Sequence, residues 1–95
     1  MLKITETSQG EKTITLKLDG KMVGRSASDL EELCLYHRDE RGKTVVLDLS
    51  GLAFIGNHGL RILKKIKDNR VLIVNYSLFI EALLEANKLI SNKRR

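Results

Sequence analysis

The stretch from Thr44 to Lys67 constrains this chain most, because its hydrophobic period changes partway along. Val45, Val46 and Leu47 form a continuous apolar run, closed by Asp48 and Leu49. A run that is apolar on both faces reads as an inner strand of a mostly parallel sheet. Ser50-Gly51 interrupts it, and Leu52, Ala53, Phe54 and Ile55 lead into Gly56-Asn57-His58-Gly59. Beyond that tip Leu60, Leu63 and Ile66 recur every three residues, with Arg61, Lys64 and Lys65 between them. Such spacing gives a helix one apolar face and one charged face. Asn57 is the expected N-cap, since its side-chain oxygen accepts from an orphan first-turn N–H. The stretch is strand, loop, helix, with a polar tip where free N–H groups and the macrodipole attract anions.

The remaining elements follow from local patterns. Leu2 and Ile4 alternate with Lys3 and Thr5, and Ile14, Leu16 and Leu18 alternate with Thr13, Thr15 and Lys17. These read as two half-buried strands joined as a hairpin across Ser8-Gln9-Gly10-Glu11. Asp19-Gly20 reads as a turn. Ser28-Asp29-Leu30-Glu31 fits a capping box opening a helix that reaches about His37, with Gly42 as the stop. Val71 to Val74 reads as a second inner parallel strand. Asn75 or Ser77 caps a third helix, whose apolar positions include Phe79, Ile80, Leu83 and Leu84 and which ends near Asn87. The expected fold is a small single-domain α/β layer of order ββαβαβα, a four-stranded mixed sheet with three helices. Val45, Leu47, Leu49, Leu72 and Val74 are its expected strand core, with Leu60, Leu63, Ile66, Ile80 and Leu83 packed over them. Residues 1–87 form the expected domain, and residues 88–95 a basic tail.

The central stretch also resembles the STAS family, named for sulfate transporters and anti-sigma factor antagonists. The residues that carry the resemblance are Val45 to Ile55, then a polar pair and Gly59-Leu60. It extends back to Leu16-Lys17-Leu18-Asp19-Gly20 and fades after about residue 87. In the family the tip reads Asp-Ser-Ser-Gly or Asp-Thr-Ser-Gly, and the second hydroxyl residue is phosphorylated in the regulatory members. Here the four positions are Gly56, Asn57, His58 and Gly59. The closing glycine matches; the acid and both hydroxyls are replaced, so His58 stands at a degenerate phosphosite. The resemblance implies a bacterial, cytoplasmic regulator of transcription. It would dock to an anti-sigma, kinase-like protein or to another STAS assembly such as a transporter accessory complex, without the serine switch.

Composition narrows the classes. The net charge is +5, yet Lys88, Lys93, Arg94 and Arg95 carry most of it, and the body is nearly balanced. Within the body, acids concentrate in residues 25–41 and cations in residues 61–70, a sorting that suits steering toward a partner of opposite sign. A basic binder of nucleic acid or an anionic surface is the alternative reading. The rings Tyr36, Phe54, Tyr76 and Phe79 are few for a base-stacking platform, so nucleic acid is the weaker choice. No apolar run reaches the ~18 residues of a membrane span. The chain starts without a segment of signal-peptide pattern.

Chemistry finds little to work with. Cys34 stands alone and falls on the apolar side of its helix, the position of a core cysteine in a reducing compartment. His37 reads as a surface or boundary residue, and His58 lacks companions at metal-ligand spacing. Asp48 reads as a carboxylate that caps loop N–H groups rather than a ligand. Gly51, Gly56 and Gly59 do not form a dinucleotide-binding fingerprint. No cofactor, metal or enzymatic activity is expected. The expected site is a partner-binding face made of Gly56, Asn57, His58, Arg61, Lys64 and Lys65, and the oligomeric state, including a homodimer, stays open.

Overall fold

The computed structural model describes residues 1–91. The strands are β1 (Leu2–Gln9), β2 (Thr13–Met22), β3 (Thr44–Ile55) and β4 (Val71–Val74). The helices are α1 (Arg25–Leu35), α2 (Asn57–Ile66) and α3 (Leu78–Ala86), and α1 runs on into a π-helical turn at Tyr36–Glu40. The sheet order is β1-β2-β3-β4. β1 and β2 pair antiparallel as the expected hairpin, and β3 lies parallel to both β2 and β4. The fold is thus the small α/β layer anticipated, a four-stranded mixed sheet with three helices.

One face of the sheet carries the core. Ile14 and Leu16 of β2 pair with Val45 and Leu47 of β3, Leu18 and Leu49 follow where the register shifts, and all six are buried. They merge with Leu30, Cys34, Leu63, Ile66, Ile80 and Leu84 from the helices into one cluster. The opposite face shows Thr15, Lys17, Val46 and Leu72, none of them buried. With helices on one face only, parallel strands keep an inside-outside alternation instead of burying both sides. That corrects two expectations. Val46 is half-buried, and β4 is an edge strand whose Val71 is buried while Leu72 is 43% exposed and Val74 half-buried. Leu83 packs against the core without being enclosed.

Several boundaries differ from the expected ones for local reasons. Asp19-Gly20 does not turn the chain: β2 continues through it to Met22, and β3 likewise passes through Gly51 opposite Asp19. Gly20 makes this continuation feasible, with φ at 108° and the Met1 carbonyl packed where a Cβ would stand. Helix α1 begins three residues before the expected capping box, with Gly24 at its N-cap. The Ser26 hydroxyl donates to Val23 O at 2.6 Å and accepts from Val23 N–H at 3.1 Å, which fixes that start. Ser28 is therefore interior to the helix and free for another task. Ser77 does cap α3, accepting from Ile80 N–H at 3.2 Å.

Past Asn87, Lys88 adopts φ 61° and the Leu89 N–H donates to Leu84 O at 2.8 Å. Together with Lys88 N–H to Glu85 O at 3.0 Å, this is a Schellman closure, and it buries Leu89 against the core. Of the expected basic tail, residues 92–95 lie outside the described residues.

Candidate docking site

The tip forms where β3 hands over to α2. Gly56 N–H donates to Met22 O at 2.9 Å, which ties the tip to the end of β2, and Gly56 O accepts from Leu60 N–H at 3.0 Å. Gly56, in extended conformation, is the N-cap, so Asn57 is the first helical residue rather than the cap expected for it. No side chain caps this helix, and first-turn N–H groups stay without a side-chain acceptor. Asn57 is exposed, His58 half-buried and Gly59 buried.

Gly56 precedes α2, and the other five expected site residues divide into two stripes of the helix. Asn57, Arg61 and Lys64 succeed one another at helical spacing on the exposed outer side. His58 and Lys65 turn toward α1. His58 Nε2 and Ser28 Oγ share a hydrogen bond at 3.1 Å, and Lys65 Nζ pairs with Glu31 Oε2 at 2.9 Å. Between these two rungs Ile62 is buried, so the apolar side of α2 is wider than its three-residue repeat implies. Lys65 is thus matched by a carboxylate that α1 supplies. Ser28, expected as a cap, is instead the tip's anchor to α1.

A second feature of this end does not follow from the local patterns. Val23 and Phe54 are each 40% exposed, Phe79 54% and Leu78 83%. The Phe54 and Phe79 rings stack with centroids 6.5 Å apart. A Cβ at Gly56 would lie 3.3 Å from Val23 Cγ1 and 3.9 Å from Phe54 Cε2, so these side chains border the tip itself. Helical spacing puts Phe79 on the inner face of α3, and the structure turns it outward instead. The one available signal is that residues 52–55 and 78–80 hold more apolar positions than one buried face can take.

The buried polar groups lie away from the tip. Cys34 sits in the core, and burial pushes its thiol up to about 12, so it carries no thiolate near neutrality for nucleophilic chemistry. His37 is buried, not the surface or boundary residue expected, because the π-helical turn rotates it inward. Its ring meets Tyr36 edge-on, and Nε2 lies 3.5 Å from Glu6 Oε1. Arg38 crosses from that turn to α2, donating to Ile66 O at 3.3 Å and to Asp68 Oδ2 at 2.9 Å. Among the described residues no group of three or more His, Cys, Asp or Glu is placed to hold a metal ion. A groove of about 420 Å³ lined by Lys67, Glu85 and Leu89 lies at the far end of α2 from the tip.

Asp48 behaves as the sequence implies, accepting from Ser50 N–H at 2.9 Å. Burial acts to raise its carboxyl, but the Ser50 and Asn75 hydrogen bonds and Lys17 outweigh this and hold it below the ordinary aspartate value. A carboxyl depressed in the fold contributes stability that is present above its unfolded pKa and lost as pH falls toward the lower folded one. Asp48→Asn should therefore melt below the wild type at neutral pH, with the gap closing as pH drops through 3.8. Thermal melts of both proteins across that range test this; a constant gap would mean that the ionised form is not what Ser50 holds.

Comparisons with known proteins agree on the fold. A family model described as STAS domain matches residues 4–88. No curated protein sequence matches the chain. The chain is similar to the solved structure of the anti-sigma factor antagonist SpoIIAA in its unphosphorylated form, at TM-score 0.72 and 14% identity, covering 92% of this chain and 82% of that one. It is also similar to an anti-sigma factor antagonist from Mycobacterium paratuberculosis, at TM-score 0.65 and 17% identity, over 95% and 83% of the two chains. A third similar structure is a DUF3478-family protein with a SpoIIAA-like fold from Shewanella loihica PV-4, at TM-score 0.59 and 14% identity, over 96% and 80%. At these identities the three structures speak for the fold. No described helix is long and apolar enough to cross a membrane.

Proposed function

The chain belongs to the STAS domain family, and from that premise we propose that it is a non-enzymatic docking module of the anti-sigma factor antagonist type. Its partner is a protein, either a kinase-like anti-sigma factor or another component of a STAS assembly, met in the bacterial cytoplasm. The observation that carries the reading is the tip: Gly56, Asn57 and His58 at an uncapped helix start, with Arg61 and Lys64 exposed behind them. Lys65, paired with Glu31, borders this face. Imidazole at 58 and carboxamide at 57 give a serine kinase no hydroxyl, so docking here is constitutive. The helix cations alone do not make a nucleic-acid surface, since one of the three is already matched by Glu31.

The test is the pair Asn57→Asp and His58→Asp. Two carboxylates at the tip suit the free protein, because the helix N-terminus favours negative charge, which offsets the loss of the His58–Ser28 hydrogen bond. They oppose an acidic partner drawn by Arg61 and Lys64. A partner captured from native lysate should lose affinity for the double variant by at least about tenfold in calorimetry, the scale of a lost hot spot. Melting temperatures should stay close. Unchanged affinity with an intact fold would place the interface elsewhere.

A further inference from the structure

We propose that the exposed apolar ridge Val23, Phe54, Leu78 and Phe79, with Lys21, Arg25 and Arg61 around it, docks an acidic amphipathic helix of the partner protein. The inference rests on the reading of the tip as a protein-docking face and names the chemistry that the face selects. The ridge adjoins the tip at Gly56, where Val23 and Phe54 converge, and reaches α3 through the Phe54–Phe79 stack. It draws on three separate segments, residues 21–25, 54–61 and 77–80, that only the tertiary fold brings to one end of the sheet. Lone exposed apolar residues are ordinary, whereas several contiguous ones rimmed by charge mark an interaction surface.

Charge decides the occupant. The charged residues in those three segments are Lys21, Arg25 and Arg61, all cations and all exposed. Of the nearest acids, Asp19 and Glu81 lie two residues and one residue outside these segments and are half-buried, Glu81 in the first turn of α3, and Asp29 stands about one turn further along α1. A partner helix that presented apolar side chains at i, i+3 and i+4 would cover the ridge. Carboxylates flanking that stripe would face the three cations, and a basic helix would be repelled. The two stacked rings supply large contact area with few torsions to immobilise, which favours them as anchors.

Selection from a phage-displayed library of helix-forming peptides, with the whole 95-residue chain as bait, tests this directly. The expected winners combine aliphatic or aromatic residues at helical spacing with Asp and Glu. Their affinity should fall by at least about tenfold on Leu78→Ser with Phe79→Ser, and again on Arg25→Glu, the loss expected for anchors of an interface. Leu78 is largely exposed, so Leu78→Ser alone remains a readable variant if the pair disturbs folding. Neutral or basic winners, or winners indifferent to these changes, would overturn the proposal. So would flotation with phosphatidylcholine–phosphatidylglycerol vesicles that is lost in the same variants, since the occupant would then be a lipid surface. Failure here leaves the docking function itself standing, because that is judged by the aspartate pair at 57 and 58.

Discussion

Leu63→Ala is expected to destabilise the protein by about 2–5 kcal/mol, the usual range for truncating a large core side chain. Leu63 is fully buried in the middle of α2 and belongs to the cluster that joins all three helices to the sheet. Its neighbours cannot collapse into the gap without moving α2, which Ser28, Glu31 and Arg38 hold at several points along its length. Against a total stability of about 5–15 kcal/mol, such a loss is large. Urea unfolding followed by circular dichroism measures it. A change below about 1 kcal/mol would mean that residue 63 does not face the sheet.

Gly59→Val should be of similar size, by the opposite mechanism. A Cβ at Gly59 would lie 2.9 Å from Ile55 Cγ2, 3.0 Å from Met22 Sδ and 3.1 Å from Met22 O. The two side chains can give way; the Met22 carbonyl cannot, because it accepts from Gly56 N–H and holds the tip in place. Overpacking of this kind costs about 1–3 kcal/mol, and the second branch of valine adds to it. Alanine is the informative control. In a helix it gains up to about 1 kcal/mol over glycine, which offsets part of the clash. The expected order of stability is wild type, then Gly59→Ala, then Gly59→Val. Since the clash pushes the first turn of α2 away from β2, partner affinity should fall with the valine change even where the protein still folds. Melting and calorimetry on the same samples read both effects, and a valine variant as stable as wild type would refute the close approach of α2 to β2.

Part of the candidate site is legible in the sequence. Gly56, Asn57 and His58 at the head of a helix, with Arg61 and Lys64 outward, follow from the period change at residue 56 and nothing else. Lys65 is not legible in this way, because its partner, Glu31, sits on another helix, and no local pattern records which helix face meets which. Ser28 escapes for the same reason. Its spacing to Glu31 matches a capping box, but Gly24 and Ser26 begin the helix earlier, and the hydroxyl is left to hold His58. The apolar ridge stays hidden because Phe79 reads as an inner position of its helix, and Val23 and Phe54 lie in short connecting stretches that carry no period to show which way they face.

Hydrophobic period suffices for the element order, the three helices and the core of β2 and β3, while the STAS-like fold is implied by the resemblance that residues 45–60 carry. All of these are properties of short segments. Which face of the sheet is covered is a matter of docking, and with it the fact that β4 is an edge and Leu72 is exposed. So are the match of Lys65 with Glu31 and the stacking of Phe54 on Phe79 at the surface. Burial depends on the sum of everything packed around a residue, and charge pairing on distances between elements far apart in the chain. Neither quantity exists until the segments are docked.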